Sequence, residues 1–186
     1  MTFTQTDLPG AWIIEPEPFR DERGFFARTV CAQELVQRGL VGTFVQSSLS
    51  QTLLRGSIRG LHFQKIPAAE AKIVRCIAGA IHDVVVDLRP DSPAFCRYVG
   101  IELSAENLLS VYVPRGFAHG FQALTDNAML HYHISDFHSQ DLAAGVRWDD
   151  PDIGIAWPVP PTVISKRDRA LPSVKERNDF YCLRGL

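Results

Sequence analysis

What this chain lacks narrows its class first. Among 186 residues there are four cysteines, Cys31, Cys76, Cys96 and Cys182, scattered with no CxxC pair and no zinc-ligand spacing. That usage excludes a disulfide scaffold and predicts reduced thiols in a cytoplasmic protein. No apolar run reaches the ~18 residues of a membrane-spanning helix. The opening residues, Met1-Thr2-Phe3-Thr4-Gln5, do not have the form of a signal peptide. Basic charge is not in excess: 19 Lys and Arg stand against 21 Asp and Glu, a formal net charge of −2. Nucleic acid and membrane are therefore not expected partners, and a phosphorylated ligand requires a local group of arginines. Helical periodicity is scarce too. Short helices are expected only over about 31–38, with Thr29 as cap and Gly39 at its end, and over about 173–181.

What is present is a series of short strand signals punctuated by glycine and proline. They fall at 11–14, 43–46, 57–64, 95–103, 108–113, 117–124 and 128–135. The stretches 72–77 and 80–87 read as a hairpin turning at Gly79. In 128–135, Met129, His131 and His133 alternate with Leu130, Tyr132 and Ile134, as on a strand with two distinct faces. With 46% apolar residues the chain has enough material for one substantial core. These patterns predict an all-β fold, a cupin-type jelly roll (an antiparallel sandwich or barrel) with a few short peripheral helices.

Ser57-Ile58-Arg59-Gly60-Leu61-His62-Phe63-Gln64 concentrates the chemistry, placing a cation, an imidazole and an amide on one half-buried strand. His is the usual proton-transfer side chain near neutral pH. Pro114-Arg115-Gly116-Phe117-Ala118-His119 resembles the second cupin motif, whose histidine faces the barrel interior. A metal held by His62, Glu70 and His119 is one reading. However, Phe63 and Gln64 stand where the first cupin motif supplies a second histidine, so two facing histidines used for proton transfer are preferred. Lys72 opens an otherwise apolar strand; an inward ammonium there stabilises a developing oxyanion, whereas an outward one is a solvated strand end. Tyr132 is a core phenol or an acid. Asp168, taken alone, sits in a polar turn and reads as a solvated carboxylate.

Several motifs run in one order across 19–168. They are Phe19 with Asp21 to Phe26, Arg59 to Gln64, Lys72, Gly79 to Arg89, Ser92-Pro93, Pro114 to Phe121, Tyr132, Trp148 to Pro151, Trp157-Pro158 and Ser165 to Asp168. Together they resemble the dTDP-4-dehydrorhamnose 3,5-epimerase family of the cupin superfamily. The resemblance implies a cofactor-free and metal-free isomerase. It would invert C3 and/or C5 of a nucleotide-diphosphate-linked 4-keto-6-deoxy sugar through an enolate, as in dTDP-rhamnose and other deoxysugar biosynthesis. It assigns His62 as base, Asp168 as its dyad partner, Lys72 to the C4 oxygen and Tyr132 as the acid on the opposite face. Arg59, Arg23 and His119 fall near the diphosphate, and Phe26, Gln46 and His138 also fall in the substrate site. It implies a homodimer with exchanged N-terminal arms. Residues 1–186 are then a single domain: an arm and exchange region over 1–50, a jelly-roll core over 51–160 and a C-terminal segment over 161–186.

The chain departs from the family pattern at Arg28 (usually Glu), at Gln46-Ser47-Ser48 (usually Gln-x-Asn), at His138 (usually Tyr), and at Ala143 and Ala144 (a Glu nearby). The proton-transfer residues are kept while the binding residues have drifted. The expectation is inversion mainly at one carbon, C3, or a different sugar. Two alternatives remain: a cupin ketoisomerase acting on a related 4-keto nucleotide sugar, and a non-catalytic sugar-nucleotide binding module. A module that only binds has no need of an acid and a base together.

Overall fold

The computed structural model describes residues 1–186, apart from the side chain of residue 181. The strands are β1 (Thr2–Gln5), β2 (Trp12–Glu15), β3 (Phe19–Asp21), β4 (Gly24–Phe26), β5 (Gln46–Thr52), β6 (Ile58–Gln64), β7 (Lys72–Ala78), β8 (Ala80–Asp87), β9 (Tyr98–Ser104), β10 (Ser110–Val113), β11 (Phe117–Ala123), β12 (Ala128–Ile134) and β13 (Ala143–Gly145). Helix α1 (Ala32–Val36), helix α2 (Lys166–Arg169) and a 3₁₀ turn (Phe180–Leu183) complete the chain. The strands form a six-stranded sheet in the order β1-β2-β10-β7-β12-β5, a five-stranded sheet in the order β13-β6-β11-β8-β9, and a separate β3-β4 ribbon. All strand pairs are antiparallel. The two sheets face one another, and the fold is the cupin-type jelly roll.

The sheets meet through alternate side chains. Val74, Cys76, Val111, Val113 and Leu130 come from one sheet, and Ile81, Val85, Leu103, Phe117 and Phe121 from the other. The outer face of the five-stranded sheet is also dry. Leu61, Phe63, Val84 and Val86 pack under Val146 and Ile153 and under Val174, Phe180 and Leu183 of the C-terminal segment. That double burial explains the unbroken apolar run at 84–86. Asp150 ties this cover down by accepting the Val174 amide at 2.7 Å. On the outer face of the six-stranded sheet, Ile14, Ile73 and Tyr112 are capped by Leu35 of α1.

Five expectations are corrected. The stretches 72–77 and 80–87 are strands but not a hairpin: β7 pairs with β10 and β12, while β8 pairs with β9 and β11. Gly79, at φ +69°, turns the chain from one sheet to the other, and a Cβ there would collide with Thr125. Residues 43–45 are not a strand, because Phe44 packs on the outer-face cluster; the strand begins at Gln46 and runs to Thr52. The helix expected over 173–181 is replaced by a turn and the 3₁₀ segment, whereas 166–169, read as a turn, is α2 with Ser165 as its N-cap. Helix α1 starts after Cys31, which makes no side-chain cap, rather than at Thr29.

Candidate active site

The β6 and β11 strands position the two histidines. His62 and His119 are register partners across the pair. Close approach of the backbones near this point depends on glycine. Gly60 has φ +127°, and a Cβ there would lie 2.6 Å from the Gly120 Cα. On the opposite sheet, Lys72 lies on the same face of β7 as the core residues Val74 and Cys76, and Tyr132 follows Leu130 on β12 by two residues. The two sheets thus aim these side chains into the space between them. There the apolar filling gives way to a cavity of about 780 Å³ lined by Arg59, His62, Lys72, His119, Tyr132 and Asp168, with β5 along one wall.

Both histidines and Lys72 have acidic partners. His62 Nε2 lies 2.7 Å from Asp168 Oδ1. Asp168 is 4% exposed, not solvated. Burial pushes its carboxyl up, but the His62 hydrogen bond and charge, with the Gly60 amide and Ser165, outweigh this and hold it below the usual carboxylate value. His119 Nε2 lies 2.7 Å from Asp83 Oδ2, and its ring meets Tyr132 edge to face, with centroids 6.0 Å apart. Burial, reinforced by Asp83, pushes the Tyr132 phenol far above its usual value, so it stays protonated. Lys72 Nζ lies 2.8 Å from Glu70 Oε1. Arg59 donates only to neutral oxygens among the described residues: Thr52 Oγ1 at 3.0 Å and the Gln51 carbonyl at 2.8 Å. Its charge is therefore available to an anion.

A second cavity of about 210 Å³ adjoins His62 and Lys72 and is lined by Gln46, Glu70, His138, Ala143, Ala144 and Arg167. His138 stands on the loop after β12, where its backbone amide donates to Gln46 Oε1 at 2.7 Å. Arg23 and Phe26 line neither cavity of their own chain. They sit on the β3-β4 ribbon, where Phe26 is 78% exposed and Arg23 pairs with Asp21. The metal reading meets a donor set already committed elsewhere: His62 to Asp168, His119 to Asp83 and Glu70 to Lys72. Among the described residues, no group of three or more His, Cys, Asp or Glu is placed to share an ion.

Three residues escaped the sequence reading. Asp83, fully buried, holds His119, and the signal for it was a carboxylate amid the apolar residues of β8. Arg167 lines both cavities. Its neighbour Asp168 is singled out by the resemblance, but nothing in a polar turn shows that both adjacent charges face the cavity. Gln51 fixes Arg59 through its carbonyl, which no side-chain pattern reveals.

The family model for dTDP-4-dehydrorhamnose 3,5-epimerase matches residues 5–176. A protein of that name from Methanothermobacter thermautotrophicus is 43% identical over 182 residues, covering 96% of this chain and 97% of its own. The crystal structure of dTDP-4-dehydrorhamnose 3,5-epimerase from Elizabethkingia anophelis superposes with a TM-score of 0.92 at 41% identity, covering 96% of this chain and 98% of that one. A 3'-monoepimerase from Streptomyces bikiniensis, in complex with dTDP-quinovose, superposes with a TM-score of 0.88 at 33% identity, covering 96% and 91%. Matches of this extent, over the stretch that builds both cavities, place the chain in the dTDP-4-dehydrorhamnose 3,5-epimerase family.

Proposed function

We propose that the protein epimerises a dTDP-linked 4-keto-6-deoxy sugar through an enolate intermediate. The observation that carries this is the convergence of a His62–Asp168 dyad, the Lys72 ammonium and the neutral Tyr132 phenol on one cavity. Pairing with an anionic Asp168 assigns the imidazole proton to Nε2 and leaves the Nδ1 lone pair as the base. His62 takes the proton from the carbon next to the ketone. The electron pair moves onto the C4 oxygen, where Lys72 meets the new negative charge; without that charge the carbon acid is far too weak for imidazole. Tyr132 then delivers a proton to the opposite face, and its raised phenol ensures the proton is there to give. Arg59 binds the diphosphate. A binding module gains nothing from a buried acid and a paired base on one cavity.

The same reading makes the protein a homodimer of the cytoplasm. The outer edge of β5 has no strand partner among the described residues and exposes Leu49 at 65%, while the β3-β4 ribbon exposes Phe19 at 71% and Phe26 at 78%. A second copy covers such apolar surface and brings the ribbon's Arg23 and Phe26 to its neighbour's cavity. The four cysteines are all free thiols, in keeping with a reducing compartment. The test is incubation with dTDP-4-dehydro-6-deoxyglucose, and with its CDP and GDP counterparts, in heavy water under NMR. Deuterium entering next to the ketone with formation of a new epimer is the expected result. Binding with no label would return the protein to the binding-module class, and a migrated carbonyl would make it a ketoisomerase.

A further inference from the structure

The smaller cavity contains a carboxylate that the proton transfers do not use, beside the Lys72 that lines both cavities. Glu70 lies two residues before Lys72, the first residue of β7, and is 8% exposed. Its Oε1 lies 2.8 Å from Lys72 Nζ, and its Oε2 is buried with no hydrogen-bond partner among the described residues. Burying a carboxylate is costly unless its oxygens are satisfied. Two buried carboxylates of the scaffold meet that condition, whereas Asp83 spends one oxygen on His119 and leaves the other without a partner among the described residues. Asp87 binds Arg89 and the Ser92 hydroxyl, and Asp150 accepts the amides of Asp152 and Val174. Among the described residues Glu70 caps no helix and ties down no loop, and the Lys72 ammonium is its one partner.

Lys72 in turn has a flexible four-carbon stem. An ammonium has three N–H donors. One points to Glu70, which leaves two for an oxygen in the cavity. We propose that Glu70 is a positioning residue that fixes the Lys72 ammonium where the enolate oxygen develops. This rests on the epimerase reading of the site. Glu70 does not touch the reacting atoms; it removes the freedom of the group that does. Displacing a reacting group by about 1 Å costs about 10²-fold in rate. A carboxylate retained only for stability would affect unfolding and leave turnover of the folded enzyme unchanged.

The experiment is a double-mutant cycle on kcat and KM, with thermal unfolding measured alongside. Glu70→Gln keeps an acceptor oxygen for Nζ and is expected to retain kcat within about 5-fold. Glu70→Ala removes the acceptor and is expected to lower kcat by about 10- to 100-fold with KM changed less than about 3-fold. If Glu70→Ala fails to fold, Glu70→Met keeps the length without the acceptor and carries the same expectation. The decisive arm is Lys72→Ala with and without Glu70→Ala: the pair should be no slower than Lys72→Ala alone. Losses that multiply in the pair, or wild-type kcat in Glu70→Ala, overturn the proposal. Wild-type protein that turns over no 4-keto sugar nucleotide would tell against the epimerase reading instead.

Discussion

Asp168 grips His62 and the strand that carries it at the same time: Oδ1 lies 2.7 Å from His62 Nε2, while Oδ2 accepts the Gly60 amide at 3.2 Å. The Ser165 hydroxyl caps α2 by accepting the Asp168 amide, so the carboxylate reaches His62, 106 residues away in sequence, from a fixed base. Asp168→Asn should lower kcat by about 10²-fold while substrate still binds, because the amide neither orients the imidazole correctly nor stabilises its charged form. A pH signature follows. The folded-state carboxyl is held below its ordinary value. Its contribution to stability is therefore present above the unfolded-state pKa and is lost as pH falls through the folded one. Denaturant unfolding should show wild type more stable than the variant at neutral pH, with the gap closing as pH drops below the usual carboxylate range. A gap independent of pH would remove the ionic part of this account.

His62→Ala should abolish wash-in of solvent deuterium next to the ketone, a loss of about 10²–10⁴-fold for a positioned base. The fold should survive, since His62 faces a cavity and not the apolar core. Wild-type exchange in this variant would transfer the base to another residue, and His119 is the nearest candidate by register.

Tyr132→Phe separates the two proton transfers. The base remains, so deuterium should still enter at the carbon His62 addresses, but it should return to the same face and give labelled starting epimer. Net inversion should drop by about 10²-fold or more. Inversion at the wild-type rate would mean that another acid serves the far face.

The sequence made the inward faces legible but not the partners of their polar residues. Alternation on β12 put Tyr132 opposite His131 and His133, as the structure has it, because one face of that strand is core and the other is not. The strand signals of β7 and β8 were equally plain, yet their pairing was misjudged. Gly79 satisfies a tight turn and a sheet-to-sheet corner equally well, and only long-range register decides between them. The strand signal at 43–46 reaches only the first residue of β5. Gln-Ser-Ser-Leu-Ser-Gln-Thr carries no hydrophobic alternation, because it is an edge strand along one wall of the larger cavity and not a strand of the core. The burial of Asp168 was invisible locally, since it follows from a contact made across more than half the chain.

The ribbon gives a test of subunit exchange. Arg23→Ala should raise KM by about 10-fold, the cost of a lost charge-assisted contact to a phosphate. The informative measurement mixes that variant with His62→Ala under conditions where subunits exchange. If Arg23 serves the neighbouring cavity, each mixed dimer contains one site with both native residues, and activity at low substrate should rise above either parent. If Arg23 acts within its own chain, no such site forms and mixing recovers nothing.

The position of His138 bears on how many centres are inverted. The family resemblance places a tyrosine there and a glutamate near Ala143 and Ala144; in this chain His138 and both alanines line the smaller cavity beside His62 and Lys72. A double epimerase must grip the ring while two successive enolates form and are quenched. Imidazole is shorter than phenol, and the alanines offer no hydrogen bond, so the grip on this side of the ring is weaker. One fast proton exchange survives this, because His62, Lys72 and Tyr132 are all in place on the larger cavity. The second requires the ring to be re-presented to the same base, and that step suffers. The expected outcome is deuterium at C3 of the dTDP-linked sugar well ahead of C5. His138→Tyr should speed labelling at C5 while leaving C3 close to wild type. Rapid, comparable labelling at both carbons in the unaltered protein would show that His138 stands clear of the ring and that double inversion persists without the tyrosine.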